Sequence, residues 1–157
     1  MRDRPDVSLL FDLFVTSQRV RRVLTRALTG SRMRPDEYAV YSLLWERAPL
    51  TATEMAQQLG IPLTTALDYL NAMGSAGHIQ RSPHPGDGRA VHVRLSGAGR
   101  AAHRRANALW EVARKEIEKG LRVPLAEARD VIRAIDDAAL AALEPDAEDR
   151  RRRWPQS

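Results

Sequence analysis

Leu50-Thr51-Ala52-Thr53-Glu54-Met55-Ala56-Gln57-Gln58-Leu59-Gly60-Ile61-Pro62 is the stretch on which the fold turns. Thr51 and Glu54 stand at capping-box spacing, where the hydroxyl and the carboxylate reciprocally satisfy backbone N–H groups that a helix start leaves open. They predict a short helix to about Leu59. Gly60 ends it, since glycine enters the left-handed region without a Cβ penalty. Ile61-Pro62 opens a second helix, because proline suits a first turn whose N–H has no helical partner. Leu63, Ala66, Leu67, Leu70 and Met73 are its apolar positions, and Gly77 closes it. Two short helices joined by a tight glycine-containing turn form a helix-turn-helix.

Downstream the period changes. Residues 79–82 are extended in character, and Val91, Val93 and Leu95 alternate with His92 and Arg94, the period of a half-buried strand. Turn formers fill residues 83–89, which predicts a hairpin with a long tip. Ser96 can cap a long helix over residues 97–121, with Ala101, Ala102, Ala108, Leu109, Val112, Ile117 and Leu121 as its apolar positions. Such a helix spans roughly 38 Å and should pack partly on another chain. Pro124 begins a last helix with a stripe of Leu125, Ala128, Val131, Ile132, Ile135, Ala139, Leu140 and Leu143.

Upstream, residues 7–28 place Leu10, Leu13, Phe14, Ser17, Leu24 and Leu28 near one helical face, ended by Gly30-Ser31. A further helix from Pro35-Asp36 should carry Tyr38, Tyr41, Leu44 and Trp45 inward. It stops before Pro49, because the residue preceding a proline is pushed out of the α region.

Composition sets the outer limits. The 157 residues suit one domain with a real core. The absence of cysteine removes disulfides, thiolate metal sites and thiol redox sensing. The 25 Lys and Arg residues outnumber the 20 Asp and Glu, and the net charge of +5 points to an anionic partner, nucleic acid first, although general arginine enrichment would give the same total. The longest apolar run, residues 138–143, is far short of the ~18–20 residues a bilayer needs, and no signal-peptide core follows Met1. A cytoplasmic location and no membrane partner are therefore expected.

The order of elements resembles the MarR family of bacterial transcription regulators. The resemblance rests on residues 50–61, on Gly77-His78-Ile79-Gln80-Arg81, and on Asp87-Gly88-Arg89 leading into the alternating strand, Ser96 and then Gly99-Arg100. It covers essentially the whole chain from Val7 to Leu143. It implies a fold that is mainly α with a small β-hairpin wing, a winged helix-turn-helix flanked by long dimerisation helices. On this reading residues 1–34 form an N-terminal dimerisation helix and residues 35–96 the DNA-binding lobe. Residues 97–143 form C-terminal dimerisation helices and residues 144–157 a charged tail, the whole being one intertwined domain. The resemblance further implies a homodimer on double-stranded DNA with a pseudo-palindromic operator, and control by a small aromatic or anionic effector.

In a winged helix the second helix of the motif enters the major groove with its N-terminal residues toward the bases. That assigns Thr64, Thr65, Asp68 and Asn71 to DNA. Threonine offers a hydroxyl to acceptors and a methyl to thymine, though both threonines can instead bond their own backbone. Asp68 can accept from a cytosine amine but is repelled by phosphates. Residues 48–77 hold no Lys or Arg, only Glu54 and Asp68, a net −2. Residues 78–105 hold six arginines against Asp87 alone, a net +5, so the attraction for DNA lies around the wing. The resemblance places Arg89 at the wing tip, in or over the minor groove, with Asp87 orienting it. Arg81 is a phosphate candidate. A plain surface pair is the alternative for Asp87 and Arg89, and a solvated helix face for Arg100, Arg104 and Arg105.

No catalytic constellation is present. The four histidines lack the spacing of a metal site, though His84 and His92 can approach each other. Gly86-Asp87-Gly88 is too short for a phosphate loop, and no nucleophile elbow occurs. No enzyme, cofactor or metal is expected. No effector-binding residue can be named: Phe11, Phe14, Tyr38, Tyr41, Trp45 and Trp110 are available but serve equally as core or dimer packing. Two functions compete. One is a dimeric repressor released by a small molecule, which the basic wing favours. The other is a winged-helix protein–protein interaction module with weakened DNA recognition, which the cation-free motif favours.

Overall fold

The computed structural model describes residues 7–143. The elements are α1 (Leu9–Leu28), a 3-10 turn (Thr29–Ser31), α2 (Pro35–Arg47), α3 (Ala52–Leu59), α4 (Leu63–Ser75), β1 (Ile79–His84), β2 (Asp87–Leu95), α5 (Gly97–Lys119) and α6 (Leu125–Leu143). The expected charged tail, residues 144–157, lies outside the described residues, as do residues 1–6. Two compact units divide at residue 115/116, and α5 runs across that point.

In the first unit the core is built where the sequence placed it. Val40, Tyr41 and Leu44 of α2 meet Met55 and Ala56 of α3, Ala66, Leu70 and Met73 of α4, and Val93 and Leu95 of β2. Leu50 adds a single-residue third strand, exchanging backbone bonds of 2.8 and 3.1 Å with Val93. A smaller cluster joins Leu28, Tyr38 and Ala106. Ala48 is extended at ψ 147°, so α2 ends before Pro49 as expected.

Four readings of the sequence need correction. Trp45, expected inward, is 41 % exposed. It lies about 100° round α2 from Leu44, at the margin of the buried stripe, and stacks on His103 at 5.0 Å. Leu63 and Leu67 are exposed, because Ala66, Leu70 and Met73 alone fill the inward stripe of α4. On α5 the buried face is Gly99, Ala102, His103, Ala106 and Ala113, while Val112 is 63 % exposed. The hairpin tip is tight: strands run to His84 and from Asp87, leaving Pro85-Gly86 as the turn. Pro83 is tolerated because β1 is an edge strand, and the register shifts next to it.

Most of α1 is exposed, including Leu9, Leu10 and Phe14, and only Leu28 is fully buried. In the second unit α6 buries no residue, and Val131, Ile132, Leu140 and Leu143 are open. Among the described residues no helix is long and apolar enough to cross a membrane.

Candidate nucleic-acid interface

The helix-turn-helix is locked locally. Thr51 N–H donates to Glu54 Oε2 at 2.7 Å, and Glu54 N–H donates to Thr51 Oγ1 at 3.2 Å. The backbone N–H of Thr51, followed by its hydroxyl, holds the Glu54 carboxyl below the usual carboxylate range. This anion is committed to its own helix start. At the other end Gly60 sits at φ +63°. Gly60 N–H reaches Gln57 O at 3.2 Å and Ile61 N–H reaches Ala56 O at 3.0 Å, the paired bonds of a Schellman turn. The chain then turns sharply at Pro62 into α4.

With Ala66, Leu70 and Met73 buried, α4 presents Thr64, Asp68 and Asn71 outward on one face, at spacings of four and three. Thr65 is half-buried at the flank. Leu63 and Leu67, at 45 % and 43 % exposure, join the outward face. The sequence reading missed both as surface groups. The usable signal was helical angle, since Leu67 lies about 100° from Ala66, off the buried stripe. An exposed leucine there offers an apolar surface to a thymine methyl.

The wing carries the cations. Arg89 is exposed, three residues beyond the Pro85-Gly86 tip. Asp87 Oδ1 accepts from the Arg89 backbone N–H at 2.9 Å. Asp87 therefore shapes the chain that presents Arg89, and no ion pair joins the two side chains among the described residues. Gly86 N–H donates to His84 Nδ1 at 3.0 Å, and the His84 and His92 rings come within 4.3 Å, the approach that the sequence left open.

Arg81 and Asn71, assigned separately to DNA, are brought together. One Arg81 Nη2 donates to Leu70 O and to Asn71 Oδ1, each at 3.3 Å. Arg81 thus ties β1 to the C-terminal half of α4 and keeps its remaining donors at the surface. Where α4 ends, His78 O accepts from Ser96 N–H at 2.9 Å, and Ser96 Oγ donates to Gly77 O at 2.7 Å. Tyr41 Oη stands 2.6 Å from His78 Nδ1. These bonds fasten α4 to the wing base and to the start of α5.

The geometry is that of a helix and a hairpin arm projecting from one lobe, a shape that fits a groove and the adjacent backbone. Comparison with known proteins agrees. Residues 34–91 match the model of the MarR family. No curated protein sequence matches the chain. Among solved structures, the transcriptional regulator MosR of M. tuberculosis in complex with DNA is similar at TM-score 0.76 and 21 % identity, over 87 % of this chain and 99 % of that one. A mutant MarR from E. coli complexed with operator DNA gives TM-score 0.71 and 22 % identity, over 83 % and 92 % of the two chains. The transcriptional repressor CouR bound to a 23-mer DNA duplex gives 0.70 and 23 %, over 85 % and 92 %. Residues 34–91 of this chain are thus similar to the MarR family, and the chain has the fold that these solved structures share.

Proposed function

We propose that the chain is a homodimeric, DNA-binding transcriptional repressor released from a pseudo-palindromic operator by a small-molecule effector. The observation that carries this reading is the outward face of α4, with Thr64, Asp68 and Asn71 free of core duties, beside the exposed Arg89 of the wing. That the similar MosR, MarR and CouR structures are complexes with DNA supports DNA as the partner. Arg89 reaches the minor groove or its rim, Thr64 and Thr65 meet base edges or phosphates, and Asp87 sets the wing turn. Residues 35–96 form the DNA-binding lobe. Residues 1–34 and 97–143 supply the dimer contacts, for which the uncovered leucines of α1 and α6 are suited.

The cation-free segment 48–77 and the exposed Leu63 and Leu67 favour the second reading, a protein–protein interaction module. Selection of bound sequences from random duplex DNA separates the two. The first reading expects an enriched palindrome and an affinity that falls steeply with salt, because phosphate contacts release counterions. Binding equal to random competitor DNA overturns it. Light scattering at micromolar concentration should give the mass of two chains, and a monomeric mass removes the dimer.

A further inference from the structure

The hairpin tip holds a histidine whose hydrogen-bonding state is set by the backbone. Gly86 N–H donates to His84 Nδ1 at 3.0 Å. A backbone N–H can only donate, so Nδ1 is the acceptor, and the ring is the neutral tautomer with its proton on Nε2. The imidazole therefore presents one N–H donor on the edge away from Gly86. Packing orients that edge as well. The His84 and His92 rings stand 4.3 Å apart at a tilt of 59°, and both residues are half-buried, so each ring limits the other's rotation.

Among the described residues no acceptor takes the Nε2 proton. Two carboxylates are close, and both are engaged. Glu54 is near enough to feel a charge on either ring, but it accepts from the Thr51 N–H at 2.7 Å and from the Thr51 hydroxyl at 2.9 Å. Asp87, opposite His84 in the strand register, accepts from the Arg89 backbone N–H at 2.9 Å. A metal is the other use for two adjacent imidazoles. With Nδ1 taken and Nε2 protonated, His84 has no free lone pair, and no group of three ligands forms among the described residues. What remains is an oriented, neutral donor beside an exposed turn.

We propose that His84 is a second DNA-contacting residue of the wing, its Nε2–H donating to a phosphate oxygen at the rim of the groove that Arg89 approaches. This rests on the DNA-binding reading above. His84 pairs with Asp87, two residues before Arg89, so the tip brings the imidazole and the guanidinium to the same stretch of duplex. A half-buried ring cannot follow a long side chain into the groove, which leaves the backbone at its edge. The two contacts differ in kind. A guanidinium on a phosphate releases a counterion, whereas a neutral imidazole releases none, so His84 adds affinity without adding salt dependence. It also helps to fix the register of the wing on the duplex. His92 is a positioning residue that backs the ring.

The test is fluorescence anisotropy of the full chain at pH 8 with duplexes recovered by selection from random DNA, over a range of salt concentrations. His84→Asn keeps an acceptor near the Nδ1 position for Gly86 N–H and removes the outer donor. It should weaken binding about tenfold, the worth of one hydrogen bond to a charged acceptor, with the salt slope unchanged. His84→Gln carries an amide donor near the Nε2 position and lacks the inner acceptor, and should bind more tightly than His84→Asn. His92→Phe keeps a ring against His84 and should bind as the unaltered chain does. Full affinity in His84→Asn, or weaker binding by His84→Gln than by His84→Asn, reduces His84 to a turn former and overturns the contact. A shallower salt slope in His84→Asn marks a charged contact and overturns it too. So does a loss that varies with the base pairs under the wing, which assigns the donor to a base, or an equal loss in His92→Phe, which moves the contact to His92. A chain that binds no duplex refutes the regulator reading itself, whereas one that binds its selected duplex equally well with and without the His84 donor refutes only this inference.

Discussion

Gly99→Ala tests how closely α5 is fitted to the end of α4 and the start of β1. A Cβ on Gly99 would stand 2.0 Å from the carbonyl oxygen of His78, 2.9 Å from its carbon and 3.2 Å from its Cα. Backbone meets backbone here, so no side chain can swing aside. Restoring an ordinary contact of 3.4 Å requires α5 to withdraw by about 1.4 Å. Overpacking of this kind costs about 1–3 kcal/mol. The same His78 carbonyl accepts from Ser96 N–H at 2.9 Å, and withdrawal strains that bond as well, adding about 1 kcal/mol. Alanine's better helix propensity returns at most about 1 kcal/mol. The net loss is about 2 kcal/mol, which lowers the melting temperature by about 4–8 °C for a chain of this size. Gly97→Ala is the control, since nothing lies within 4 Å of its Cβ position and the same propensity gain applies. Urea unfolding of both variants at one protein concentration gives the comparison, because on the proposed dimer reading stability depends on concentration. If Gly99→Ala is as stable as Gly97→Ala, the close approach is not real and the reasoning fails.

Arg89→Ala should weaken operator binding by at least ~1 kcal/mol and reduce its salt dependence, measured by fluorescence anisotropy across ionic strengths; an unchanged dissociation constant removes the wing assignment. Thr64→Ala with Thr65→Ala should relax sequence preference as well as affinity in a binding-site selection, and an identical enriched motif refutes their role in base reading. Thr51→Ala removes the hydroxyl that accepts from Glu54 N–H in the α3 capping box, leaves the backbone bond to the Glu54 carboxylate, and should cost about 1 kcal/mol in unfolding free energy, against no change if the cap is idle. Burial lowers the pKa of His103 below the usual imidazole value of 6.5, so the folded protein binds fewer protons there than the unfolded chain. The stability this neutral ring supports is present above that value and is lost as pH falls through the lower folded one. His103→Gln should flatten the stability profile between neutral and mildly acidic pH, and identical slopes in both proteins refute the assignment.

The helix-turn-helix was legible because its signals are local. Thr51, Glu54 and Gly60 act on backbone groups within a turn, and no distant partner is needed to read them. The wing was legible from the alternation of Val91, Val93 and Leu95. The inward face of α5 was read only at Ala102, because its other members include Gly99, Ala106 and Ala113, residues whose value is small size and close approach and which carry little hydrophobic signal beside Val112 and Ile117. His103 was weighed only as a metal ligand. Its place between Tyr38 and Trp45 depends on α2 and α5 packing across sixty residues of sequence, which no local pattern encodes. Asn71 and Arg81 were read as two independent DNA contacts, because sequence gives residue type and leaves the reach of an arginine open.

That last pairing reaches further. By holding Leu70 O and Asn71 Oδ1, Arg81 acts as a strut between the two prongs of a fork, one prong being α4 and the other the hairpin. On the proposed reading, a fork of fixed gauge cannot widen to suit a duplex whose groove is narrower or broader than its opening. The misfit is then taken up by the nucleic acid, whose stiffness depends on sequence even where no side chain touches a base. A reading helix without a single Lys or Arg can in this way still discriminate, selecting operators by how readily they take the shape that the strut imposes.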